Sequence, residues 1–317
     1  MDVFAVAGTS DIATVYLAEM GKGRLIEFVE ALQPPYSRDE RWILMISTLY
    51  GCPVECLICD AGGQYQGKPT ADEILAQVDY LVQQRYPDKR IPADKFKIQF
   101  ARMGEPSLNP AVLDVLEALP SRYHAPGLIP SISTIAPRSA DAFFERLIDI
   151  KDGLYPNGKF QFQFSVHTTD EALRDRLIPV KKWDFARMAA FGERFFKPRD
   201  RKITLNFALA KGMPVDPAAL LRYFDPALFF IKITPINPTC LASQNGLISH
   251  IDPSRPESGN DIARRLAECG YEVLISIGEL EENQIGSNCG QYVLKYLESR
   301  MPVKDGYTYR LRAPAPL

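Results

Sequence analysis

Apolar and polar positions change period along the chain, and the period marks the elements. Residues 42–48 (WILMIST) form a continuous apolar run, which predicts a buried strand. Over 70–84 the pattern turns helical. Ile74, Val78, Leu81 and Val82 make one stripe, Thr70 stands as N-cap, and Asp72 and Glu73 fall in the first turn. Further strands are predicted at 96–101, 129–135, 160–166, 202–208, 228–234 and 271–277. Helices are predicted at 110–118, 139–149, 183–195, 215–223, 259–269 and 289–299. Strands alternating with helices imply βαβ units on a parallel sheet, and the number of units fits a partial (β/α)6 TIM-type barrel. Ahead of them, residues 10–32 read as one or two short helices, broken near Gly21 and Gly23 and ended by Pro34 and Pro35. The chain therefore divides into a short N-terminal helical extension, 1–40, and an α/β partial-barrel domain, 41–317.

Composition narrows the class. The chain has 317 residues, 46% hydrophobic and 24% charged, which suits one large α/β domain. Its formal net charge is −2, without the basic stripe of a nucleic-acid surface. Lys181, Lys182 and the charged run 197–202 read as solvated loop charges, so a nucleic-acid partner is not favoured. No stretch is long and apolar enough to span a bilayer. The first residues are too polar and lack the basic start of a signal peptide, so a cytoplasmic location is expected, with no membrane partner.

Six cysteines, three of them clustered, point to metal ligation in a reducing compartment rather than to disulfides. Cys52, Cys56 and Cys59 are spaced C-x3-C-x2-C in a loop that also holds Gly51, Pro53, Gly62 and Gly63. A structural zinc site wants a fourth protein ligand, and neither a second cysteine pair nor a nearby histidine supplies one. Three thiolates on a four-iron cluster leave one iron open to a small ligand.

In barrels of this kind functional residues sit at the C-terminal ends of strands. There the chain carries Gly104 and Glu105, where glycine lets a ligand approach the backbone and a carboxylate pairs with an ammonium. Ser131 and Ser133, then Ser165 and His167, follow on the next two units. Their hydroxyls either bond a ligand or serve as caps and turns. His167 is a proton carrier or a turn residue. Asn237 stands in a rigid turn between Pro235 and Pro238. Cys289 lies between Ser287-Asn288 and Gly290, at the mouth of the last expected helix, where a thiol is accessible and favoured as thiolate.

The cysteine spacing after an apolar strand resembles the signature of the radical S-adenosylmethionine (SAM) enzymes. The ordered set of Gly51 to Cys59, Met103 to Pro106, Ser131 to Thr134, Ser165 to His167, Arg174-Asp175, Ile178-Pro179, Lys211-Gly212, Pro235 to Pro238 and Cys289 to Gln291 resembles its RlmN/Cfr-type branch of adenine methyltransferases acting on ribosomal RNA. The resemblance spans roughly residues 43–295. It implies the radical SAM partial barrel, a [4Fe-4S] cluster on Cys52, Cys56 and Cys59, and SAM held by Gly104, Glu105, Ser131, Ser133, Ser165, His167 and Asn237. It implies a flavodoxin- or ferredoxin-like electron donor, and Cys289 as a thiolate that takes a methyl group from one SAM before a radical from a second SAM activates it.

Four departures bend that reading. Ile58 stands where an aromatic residue usually precedes the third cysteine. Met45 stands where the family has the cysteine that releases the product as a disulfide forms; Cys240 and Cys269 lie elsewhere, Cys269 at a helix end. About 40 residues precede the barrel, fewer than the family's RNA-binding domain needs. The segment before the carrier, 279–283, is acidic and repels phosphate. The leading expectation is an enzyme that passes a methyl or methylene unit through Cys289 to an unactivated carbon of a small molecule. The alternatives are an RNA adenine C-methyltransferase with a reduced RNA-binding region and a non-enzymatic iron–sulfur or zinc protein.

Overall fold

Trp42, Leu44 and Ile46 are fully buried, while Arg41, Ile43 and Met45 between them are only partly so. The same alternation recurs in later strands: Phe162 and Phe164 against Gln161, Gln163 and Ser165, and Phe229, Ile231 and Ile233 against Phe230, Lys232 and Thr234. One face of each strand is thus made for packing under helices and the other is largely polar.

The computed structural model describes residues 1–289, 291–293 and 306–314. Among them run strands β1 (Asp2–Gly8), β2 (Ala13–Glu19), β3 (Leu25–Ala31), β4 (Arg41–Ile46), β5 (Tyr50–Cys52), β6 (Gly63–Gly67), β7 (Lys95–Phe100), β8 (Leu128–Thr134), β9 (Gln161–Ser165), β10 (Ile203–Ala208), β11 (Phe229–Thr234) and β12 (Val273–Ile275). The helices are α1 (Ala71–Arg85), α2 (Ala111–Arg122), α3 (Asp141–Leu154), α4 (Glu171–Leu177), α5 (Phe185–Phe195), α6 (Pro217–Leu221), α7 (Cys240–Gln244), α8 (Asn260–Glu268) and α9 (Leu280–Ile285). One sheet runs β1-β2-β3-β4-β7-β8-β9-β10-β11-β12, and β5 pairs with β6 separately. From β4 to β12 the sheet's neighbours are parallel and in chain order. The result is a mixed α/β fold dominated by a large, mostly parallel sheet.

The helices close the apolar face. Helix α1 begins with a full capping box, Thr70 accepting from the Glu73 amide and the Glu73 carboxylate accepting from the Thr70 amide. It packs on α2, and α2 on α3. Phe144 of α3 and Phe191 and Phe195 of α5 meet Phe162, whose ring centroid lies 5.0 Å from that of Phe195. Such aromatic contacts add to the gain from burying area.

Residues 10–32 are not helical. They form β2 and β3, which with β1 extend the sheet by an antiparallel meander joined to β4. Gly21, Lys22 and Gly23, all at positive φ, make the turn between β2 and β3 rather than a helix break. Strand β2 is flanked on both sides and buried along Ala13–Ala18, so its apolar residues show no alternation, and periodicity alone does not separate such a strand from a buried helix. The helix expected over 289–299 falls largely outside the described residues, whereas the acidic segment before it folds as α9. No helix among the described residues is long and apolar enough to cross a membrane.

Candidate active site

Beyond the C-terminal end of β4 the chain turns through β5 into the cysteine loop. Cys52, Cys56 and Cys59 all line one cavity of about 570 Å³. The Cys52 sulfur accepts hydrogen bonds from the amides of Val54, Glu55 and Glu105, and the Ala61 amide points at Cys59. Burial pushes the Cys52 thiol up to about 11, and burial also raises Cys56 and Cys59, with mutual repulsion adding to it. Three thiols with amide donors facing them, and only Lys182 acting on Cys56 as a countercharge, suit a cationic iron–sulfur cluster that would stabilise their thiolate forms. No three His, Cys, Asp or Glu side chains among the described residues come close enough to hold a single metal ion. The thiols share a cavity, not a point.

The same cavity is lined by Gly104, Glu105, Ser133, Ser165, His167, Asn237 and Cys289. Ser131 is buried one pleat lower on β8 and does not line it. Gly104 has φ +95, and a Cβ there would meet the Leu49 side chain at 2.4 Å. Only glycine carries the chain through this turn without strain. Glu105 is buried, and its carboxylate accepts from Ser107 Oγ at 2.7 Å, the Ser107 amide at 3.2 Å, Thr134 Oγ1 at 2.5 Å and the Ile135 amide at 2.9 Å. Burial still raises its pKa, because no cation stands beside it.

His167 occupies a left-handed conformation, φ 68. Its Nδ1 accepts from the Ala208 amide at 3.1 Å. Burial, helped by Arg174, holds its pKa down to about 4, so the ring is neutral at pH 7 and its proton sits on Nε2. In this state Nε2 is a hydrogen-bond donor.

The Asn237 amide donates to Cys289 Sγ at 3.1 Å. Cys289 is open to the cavity, yet surrounding protein raises its thiol pKa, opposed by Asn237, Arg102 and Lys232. It is close enough to Cys59 for the two charges to interact. Arg102 fixes the segment that carries Cys289. Its Nη1 donates to the carbonyls of Ser287 and Asn288, and its Nη2 to that of Gly286, each at 2.8 Å. Its countercharge is Glu27 on β3, 2.5 Å away, with both side chains wholly buried. Glu27 also accepts from the Val293 amide.

Asp60, next to Cys59, forms a second tie. It accepts from the amides of Cys240 and Leu241 at the start of α7 and from Tyr307, whose hydroxyl in turn accepts from the Gln291 amide. The cysteine loop and the Cys289 segment are therefore held to one another.

Arg102, Glu27, Asp60 and Tyr307 had no sequence signal as a set, since they are up to about 280 positions apart and meet only in the fold. Cys240 and Cys269 do not line the cavity, whereas Met45 does. Lys97 and Lys232 also line it, as charges within the strands KFKIQF and FFIKIT, a signal legible in the chain but carrying no motif.

No protein-family model matches the chain. It is 28% identical over 300 residues to a probable dual-specificity RNA methyltransferase RlmN of Thermotoga petrophila, covering 91% of this chain and 78% of the relative. It is 27% identical over 278 residues to a protein of the same description from Desulfitobacterium hafniense, covering 84% and 72%. Its fold is similar to that of a radical SAM methyltransferase from Sphaerobacter thermophilus, with a TM-score of 0.68 at 20% identity over 92% of this chain and 81% of that one.

Proposed function

We propose that this chain, similar to relatives described as RlmN and to a radical SAM methyltransferase in fold, is a radical SAM enzyme that works with a [4Fe-4S] cluster and SAM and passes a one-carbon unit through Cys289 to an unactivated carbon of a small molecule. The observation that carries this reading is the Cys289 sulfur in one cavity with the Cys52, Cys56 and Cys59 thiols. We read the chain-ordered parallel sheet as a partial barrel with this cavity as its lumen.

In this reading Cys52, Cys56 and Cys59 would hold the cluster, and Glu105, its carboxylate held by four donors, would bind the ammonium of SAM. The Gly104 backbone, Ser133, Ser165 and the Nε2 proton of His167 supply further polar contacts. When bound, the cluster and SAM supply a methyl group and one-electron cleavage of a carbon–sulfur bond. Cys289 is the nucleophile and carrier. Asn237, Arg102 and Lys232 favour its thiolate against the cost of burial. Apart from the Cys52, Cys56 and Cys59 triad, no second thiol among the described residues lines the cavity, and Met45 occupies the wall, so release from Cys289 falls to another group. Glu282, whose carboxyl burial pushes up to about 6, lines the cavity within charge-interaction range of Lys232 and is the candidate base.

A second reading, transfer to RNA, is favoured by the relatives described as RNA methyltransferases. One experiment separates the two. Anaerobically reconstituted protein is given a reductant and methyl-labelled SAM, with either ribosomal RNA or a metabolite extract. The expected result is 5′-deoxyadenosine together with label in the small-molecule fraction. Label in RNA alone would establish the second reading, and no 5′-deoxyadenosine in either arm would remove both.

A further inference from the structure

A buried ammonium group needs a partner. Elsewhere in this protein it has one. Lys151 pairs with Asp152 and Asp200, each at 2.5 Å, and Lys182 pairs with Asp175 at 2.5 Å. Lys97 and Lys232 differ. Lys97 is 8% exposed and Lys232 is half-buried, both line the cavity, and neither makes a hydrogen bond or ion pair with another described residue. They stand on the polar face of β7 and β11, so the fold aims both inward. Burial lowers the pKa of each, and each lies within charge-interaction range of a neighbour: Lys97 of Lys232, and Lys232 of Cys289. The Asn206 Oδ1 atom, on the same lumen wall, is buried with no hydrogen-bond partner.

The other charges facing the cavity do not neutralise this pair. Arg102 is matched by Glu27. Glu105 takes four hydrogen bonds beyond the C-terminal end of β7. Glu279 and Glu282 come from the segment at the start of α9; Glu282 attracts Lys232 through space, but neither carboxylate is within ion-pair distance of a lysine. Lys95, at the start of β7, adds a third cation on the same wall.

We propose that the lumen below Cys289 is an anion-binding substrate chamber, in which Lys97 and Lys232 together hold a carboxylate or phosphate group of the substrate. The anchored end sits in the barrel and leaves the reacting carbon to reach Cys289. This deepens the small-molecule reading and rests on it. A cavity of about 570 Å³ has room for a metabolite-sized anion.

The test titrates reconstituted holoenzyme with inorganic phosphate, succinate and, as a neutral control, succinamide. Phosphate or succinate binds saturably and succinamide does not, and the preferred anion names the substrate's acidic group. Lys97→Met and Lys232→Met each weaken that binding about tenfold or more, the loss of a charge-assisted contact. Thermal melting keeps the comparison sound. Removing an unpartnered buried charge leaves the Lys97→Met Tm equal to or above that of the parent, whereas a structural lysine would lower it. The proposal is overturned if neither anion binds, or if both variants bind as the parent does. SAM cleavage by the parent is measured in the same preparation. Cleavage without anion binding removes only this chamber, and absence of cleavage removes the enzymatic reading whatever the titration shows.

Discussion

Replacing Cys289 with Ala is expected to lower one-carbon transfer by about 10³-fold or more, because in the proposed reaction it removes the nucleophile and carrier together. The thiol has no substitute nearby. Of the other cysteines, Cys52, Cys56 and Cys59 form the triad in the same cavity, while Cys240 and Cys269 lie outside the cavity. The environment of Cys289 is that of a working thiol. It is open to the cavity, its sulfur accepts from Asn237 at 3.1 Å, and two cations act on it against the penalty of burial. A purely structural cysteine has no need of a hydrogen-bond donor aimed at its sulfur. The check is product formation by the variant, measured beside 5′-deoxyadenosine so that loss of transfer is separated from loss of SAM cleavage. Product made at the parental rate would remove Cys289 from the reaction.

Arg102→Ala is expected to destabilise the fold by about 3–5 kcal/mol, because it strands a buried Glu27 and leaves three carbonyls without their donor. Glu27→Gln strands Arg102 in the same way, although Gln keeps an acceptor for the Val293 amide. The double variant Glu27→Gln/Arg102→Met has no uncompensated charge. It is expected to recover much of the lost stability in denaturant unfolding. Transfer through Cys289 is not expected to recover with it. The carbonyls of residues 286–288 still lack the guanidinium that sets the Cys289 segment against the cavity. A double variant with both stability and transfer restored would show that Arg102 only holds the fold. The clamp also gives the N-terminal meander a task. Glu27 lies on β3, so the extension that completes the sheet supplies the countercharge under the carrier segment.

Much of this was legible before the fold was known, and the reasons are physical. Strands from β7 onward are bounded by loops and joined by helices, so alternation of period located them to within a few residues. Thr70 and Glu73 announced α1 by residue type and spacing alone. The cysteine loop, Gly104 and Glu105 could be found because each follows a strand end, and Cys289 because it stands in the loop after α9; at such places side-chain chemistry is not dictated by packing. The meander was misread because β2 lies between two strands and is buried along nearly all its length, which erases the alternation that distinguishes a strand. Ser131 was placed on the right strand but one pleat too deep to reach the cavity. His167 could not be assigned as donor or proton carrier without the Ala208 amide at its Nδ1. Arg102 is an ordinary arginine until Glu27 and the carbonyls of 286–288, from both ends of the chain, are folded around it. The inward lysines were visible as charges within strands, but what they lack, a partner, exists only in three dimensions.

The most direct test of Cys289 as carrier is mass spectrometry of the reconstituted protein after incubation with methyl-deuterated SAM and reductant, before any substrate is added. The expected result is a deuterated methyl group on the peptide containing Cys289 and on no other cysteine. An unmodified Cys289 in a preparation that cleaves SAM, or label on a different residue, would contradict it.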